Sequence, residues 1–218
     1  MLYNLLDQFR LKTLLLTIIL VLISTVFLVN HTIVNNDLLI QSMGDQIPIE
    51  QINSLLEAKS HYEWVNYLLL VGFAFLKYLI IAGIIDAGLL LSSIDVKFSK
   101  ILKLVIIAEF VFFIPIIIKI LWFSFIVQSY DLKDLSFFSP LSVLNFFAVN
   151  SIGQAWVYPL SLINIFELTY IGVLAFGIKQ LISTSFDNAL KIIVSSYLPA
   201  LFVWVLFIAF LTIMANPA

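Results

Sequence analysis

The sequence predicts an all-α integral membrane protein with five transmembrane helices, an external amphipathic helix and a short interfacial helix before the fourth span. Three observations lead there. Of 218 residues, 62% are hydrophobic and only 11% are charged, and the mean hydropathy is +1.12. A soluble domain is about 45–50% apolar and about 25% charged, so this chain has too few polar side chains to cover a surface in water. Five apolar stretches approach or exceed the roughly 20 residues a helix needs to cross the hydrocarbon. The basic residues gather in alternate connections, as the positive-inside rule requires of a multi-pass protein. No boundary divides the chain, so residues 1–218 read as a single membrane domain. The net charge of −2 gives no basic footprint for nucleic acid. The absence of cysteine removes disulfides, thiolate metal sites and cysteine nucleophiles together.

The elements follow in order. The first span, residues 13–29, contains the run LLLTIILVLISTVFLV. It is longer than a signal-peptide core, and no small-x-small cleavage site follows at Asn30-His31-Thr32, so it reads as a retained anchor. The connection over 30–63 is long and acidic, with Asp37, Asp45, Glu50, Glu57 and Glu63 against Lys59. Within it, Gly44-Asp45 reads as a turn and Pro48 as the start of a helix. Ile49, Ile52, Leu55 and Leu56 share one helical face, which would lie on the membrane or pack on the bundle. The second span covers 64–91 and the third 101–127, joined by a turn with Lys97, Lys100 and Lys103. In the connection over 130–158, Ser139-Pro140 opens an apolar run over 141–149 that is too short to cross a bilayer. It is expected as the interfacial helix, stopped by Asn150-Ser151 and Gly153, with Trp156 and Tyr158 at headgroup level. The fourth span covers 160–178 and the fifth 192–214, with Lys179 and Lys191 between them.

Sidedness follows from the same residues. Arg10, Lys12, Lys97, Lys100, Lys103, Lys179 and Lys191 fall on one side, and Lys59 and Lys133 on the other. Seven against two puts the N-terminus in the cytoplasm and the C-terminus outside, in a membrane of the bacterial inner type.

Five ionisable residues fall within the spans: Lys77, Asp86, Glu109, Lys119 and Glu167. Such residues are costly in lipid and point to pairing or function. Lys77 and Asp86 are nine residues apart and face opposite sides of one helix; Glu109 and Lys119 are about 15 Å apart along the axis. Partners must therefore come from other spans. Counted from the basic ends, Asp86 lies about 8 Å deep, Glu109 about 12 Å, Glu167 about 17 Å and Lys77 about 21 Å. Depth alone therefore matches Lys77 with Glu167, with Glu109 as the next acid. The cluster reads either as a structural salt bridge or as an ion or proton path, while Lys119 beside Trp122 can snorkel to the interface. Small residues add a packing signal: Gly83 and Ala87 in the second span and Gly172 and Ala175 in the fourth would let those two helices approach closely.

No chemical motif stands beside this cluster. The glycines include no Gly-Lys pair of a P-loop, neither histidine begins HExxH, and GxSxG and GxGD are missing. The expectation is a protein that is not an enzyme and carries neither cofactor nor metal.

From about Ser139 onward the chain resembles the Yip family of Ypt/Rab-interacting membrane proteins, particularly its short bacterial members. The residues concerned are Phe138-Ser139-Pro140, then SLINIFELTYIGVLAFGIKQL and KIIVSSYLPALFVWVLFIAF. Asn164, Phe166, Tyr170 and Gly177 hold the places of the family's fourth-span pattern. Eukaryotic members carry a long cytosolic N-terminal region and a DLYGP motif, and this sequence has neither. The resemblance implies a five-span, non-enzymatic protein that acts through oligomerisation and partner binding in membrane organisation or trafficking. Its partners would be the lipid bilayer, copies of itself or other membrane proteins. Two alternatives stand beside it. One is a small transporter or permease subunit with Lys77, Glu109 and Glu167 along a polar path, although the EAA-x₃-G coupling loop of ABC permeases is missing from 92–100 and 179–191. The other is an accessory subunit of an envelope complex that binds through the acidic connection.

Overall fold

The computed structural model describes residues 10–34, 36–43, 48–127, 129–148 and 151–215. The turn expected at Gly44-Asp45 and the stop at Asn150 lie outside them. The protein is an all-α membrane protein, and five of its helices are long and apolar enough to cross a membrane. These are α1 (Leu11–Thr32), α3 (Ile49–Leu91), α4 (Phe98–Ile126), α7 (Ile165–Ile182) and α8 (Phe186–Ala215). Three short helices lie between them: α2 (Asn36–Met43), α5 (Leu132–Phe137) and α6 (Gln154–Leu162).

Two boundaries differ from the sequence reading. The amphipathic segment is not a separate helix but the start of α3, which runs 43 residues without a break. Nothing between Pro48 and Ser92 can stop it, since Gly72, Gly83 and Gly88 are tolerated within a strongly apolar helix. On its amphipathic face Ile52 is buried and Leu55 half exposed, and the segment packs against α2. A short helix does precede the fourth span, but it is α6, and Gly153 begins it rather than stopping the preceding run. Among the described residues of the run over 141–149, the helical part is a 3-10 turn at Val143–Phe146. Its start is held by a bridge between Ser142 and Asn164 and by the Val143 N–H donating to the Ile163 carbonyl at 2.9 Å. That clamp marks the break between α6 and α7, so the fourth span begins at Ile165 rather than near residue 160.

Four helices form a ring in the order α3, α4, α7, α8, each packed on the next and α8 closing on α3. Helix α1 lies outside the ring, mainly against α4, and buries little beyond Leu14 and Ile18. The main core fills the half of the ring nearest the basic turns, with Ile85, Leu89, Leu104, Val105, Leu174 and Ile193 fully buried. On the other half the helices are more exposed, and no buried residue follows Tyr197 in α8. A satellite core of Ile33, Leu38, Phe123 and Leu135 there joins α1, α2, α4 and α5.

Candidate functional site: a polar cluster at the centre of the ring

The observed helix ends reset the depth scale. Counted from Leu91, Phe98 and Ile182, Lys77 lies about 21 Å from the basic ends, Glu109 about 16 Å and Glu167 about 22 Å. All three sit at similar levels, about 16–22 Å from the basic turns. The pairing predicted from depth is nevertheless corrected: the Lys77 ammonium donates to Glu109 Oε2 at 2.9 Å, not to Glu167. Depth gives the axial level but not the angular position. In the ring, α3 and α7 stand diagonally, and α4 carries Glu109 into the gap beside Lys77.

Glu167 has a different partner, the Tyr197 hydroxyl of α8, which donates to its Oε1 at 2.8 Å. Aromatic rings join the two pairs. The Lys77 ammonium lies 4.9 Å from the Phe112 ring centre, Phe112 is 4.9 Å from the Tyr170 ring, and Tyr170 is 5.6 Å from Tyr197. Each of the four ring helices thus supplies at least one member. Glu109 and Glu167 are buried, and Tyr170 is wholly buried. The Lys77 side chain is 49% exposed, so the protein covers the cluster least on that side.

Local sequence explains the placement. Pro115 lacks an N–H, and its ring crowds the carbonyl of residue 111. The helix tightens into a 3-10 turn at Phe110–Phe112, directly after Glu109, and Phe112 turns toward Tyr170. Asn164 caps α7, its side chain accepting from the Glu167 backbone N–H at 2.8 Å. Glu167 therefore sits in the first turn of α7, where the helix dipole favours negative charge. Further along α8, Trp204 Nε1 donates to the Tyr158 hydroxyl at 2.9 Å and fixes α6 on α8. Burial raises the Tyr158 phenol above its ordinary value, which keeps it protonated.

The other expected residues lie elsewhere. Asp86 is half-buried on α3, away from the cluster, and has no hydrogen-bond partner among the described residues. Lys119 donates to the Leu135 carbonyl, an anchor on α5 that replaces free snorkelling. His31 stacks on Phe27, and His61 packs edge-on against Tyr62. The packing assignment is corrected in three of its four residues. A Cβ at Gly83 or Gly172 would meet nothing within 4 Å, and Ala87 is exposed; only Ala175 is buried in the core. The close approaches are at Gly88, where a Cβ would lie 2.6 Å from Ser196 Cβ of α8, and at Gly177, where it would meet Leu104 of α4. Spacing alone cannot choose between Gly83 and Gly88, because either could face the neighbouring helix.

Sequence reasoning missed Tyr170, Tyr197 and Phe112. A hydroxyl deep in an apolar span was the available signal for the two tyrosines, and Pro115 was the signal for the turn. No family model, curated protein or solved structure matches this chain.

Proposed function

We propose that the protein is a non-enzymatic, multi-pass scaffold or partner-binding protein of a cytoplasmic-type membrane, as the Yip resemblance implies. Its N-terminus would lie in the cytoplasm, and it would act on copies of itself or on other membrane proteins. The observation that carries this reading is the continuity of α3. Its 43 residues extend about 64 Å, roughly twice the hydrocarbon thickness. The first turns, with Glu50, Ser54 and Glu57 exposed, therefore stand beyond the bilayer on a helix rooted beside the ion pair. A rigid acidic projection suits a contact surface better than it suits a permeation path. Crosslinking tests this. A photoreactive residue at Ser54 or Glu57 should give a discrete adduct in membranes, and replacement of 30–63 should abolish it.

A second reading, a small transporter or permease subunit, draws on the less covered side at Lys77. Reconstituted protein that supports a pH- or substrate-driven flux, lost in Glu167→Gln, would replace the scaffold reading with this one.

A further inference from the structure

We propose that the Lys77–Glu109–Glu167 cluster is a proton-binding site that holds one exchangeable proton per chain, shared by the two glutamates. The charge count comes first. One ammonium and two carboxyl groups lie at similar levels, and the groups facing them, Tyr78 from α3, Tyr158 from α6, Tyr170 from α7 and Tyr197 from α8, are phenols, which add no charge at ordinary pH. With both glutamates ionised the sum is one negative charge in apolar surroundings. A buried charge without a counter-charge takes up a proton rather than persisting. Hydrogen bonding supplies an independent observation. Glu109 Oε1 and the Tyr170 hydroxyl are both buried and face each other without closing a full hydrogen bond. Glu109 is 5% exposed and Tyr170 not at all, so a buried polar line runs from Glu109 past Tyr170 and Tyr197 to Glu167.

The chemistry favours a proton over a metal ion. The Lys77 ammonium already occupies the cation position on Glu109, and a second full cation beside it would be repelled. A proton needs no coordination shell. Uptake forms one O–H bond on a carboxylate oxygen, water or buffer supplies the proton, release reverses the step, and no electron moves. Lys77 marks the side on which the cluster is least covered by the protein. The proton is assigned to the pair and not to either residue, because the two carboxyl groups share one counter-charge.

Infrared difference spectroscopy on the full-length protein in lipid nanodiscs, with pH steps above the range of exposed carboxylates, tests the assignment through the carboxylic-acid carbonyl band. The wild type should lose one such band per chain as pH rises. Glu109→Gln and Glu167→Gln should each abolish it, because either change balances Lys77 with a single carboxylate. Lys77→Met should double it. Tyr197→Phe should keep one band at a shifted frequency, and Asp86→Asn should leave it unchanged, so the count survives even where one variant folds poorly. Three results would overturn the site: no band in folded wild type, a band lost in Glu167→Gln but kept in Glu109→Gln, or an amplitude set by sodium at constant pH. The second would describe one desolvated acid without shared charge, and the third a metal-cation site.

Discussion

At the residue scale, the ion pair between Lys77 and Glu109 organises the centre of the molecule. Breaking a fully buried pair costs about 3–5 kcal/mol. Lys77 is half exposed, so Lys77→Met should cost less, about 2 kcal/mol, mostly from the lost counter-charge and hydrogen bond of Glu109. The exchange Lys77→Glu with Glu109→Lys should recover at least half of the loss seen in the single variants. Lys77→Glu with Glu167→Lys should not, because α3 and α7 stand diagonally. Thermal unfolding in detergent distinguishes the two exchanges. The charged residues were legible in the sequence because an ionisable side chain stands out in an apolar run. Their partners were not, because a one-dimensional count gives height along the helix and leaves the azimuth open. Tyr170 and Tyr197 escaped for a related reason. A tyrosine in an apolar span is compatible with lipid contact, core packing or a hydrogen bond, and only the neighbours decide.

At the scale of elements, the five spans were legible because about 20 apolar residues have few alternatives. The ends were less so. Hydropathy ends a span where apolarity ends, whereas backbone chemistry started α7 at the Asn164 cap and carried α3 back to Pro48. Helix contacts depend on which small residue faces a neighbour. Gly88→Ala should destabilise by about 1–3 kcal/mol, since Ser196 Cβ is fixed to its backbone and α3 and α8 would have to separate. Gly83→Ala, which meets nothing, should be neutral or stabilising by up to about 1 kcal/mol, because it removes a flexible residue from a helix interior. Chemical or thermal unfolding of the pair measures the difference. Equal destabilisation of both would contradict the packing of α3 on α8. Gly177 is a softer case, because the atoms it would meet belong to the side chain of Leu104, although that leucine is itself buried.

At the scale of the whole molecule, the ring and its basic turns predict a topology that can be read chemically. The chain has no cysteine, so single introduced thiols report without background. A membrane-impermeant maleimide added outside intact cells should label Lys59→Cys and leave Lys97→Cys unlabelled until the membrane is opened. The reverse pattern would invert the proposed sidedness. The architecture also has a mechanical side. Helix α3 contains no joint between its exposed tip and Lys77, and a helix of that length behaves as a stiff rod over the distance. A docked body that twists or tilts the far end by a few degrees must move the ammonium against Glu109, and a change in the state of that pair must push back on the tip by the same lever.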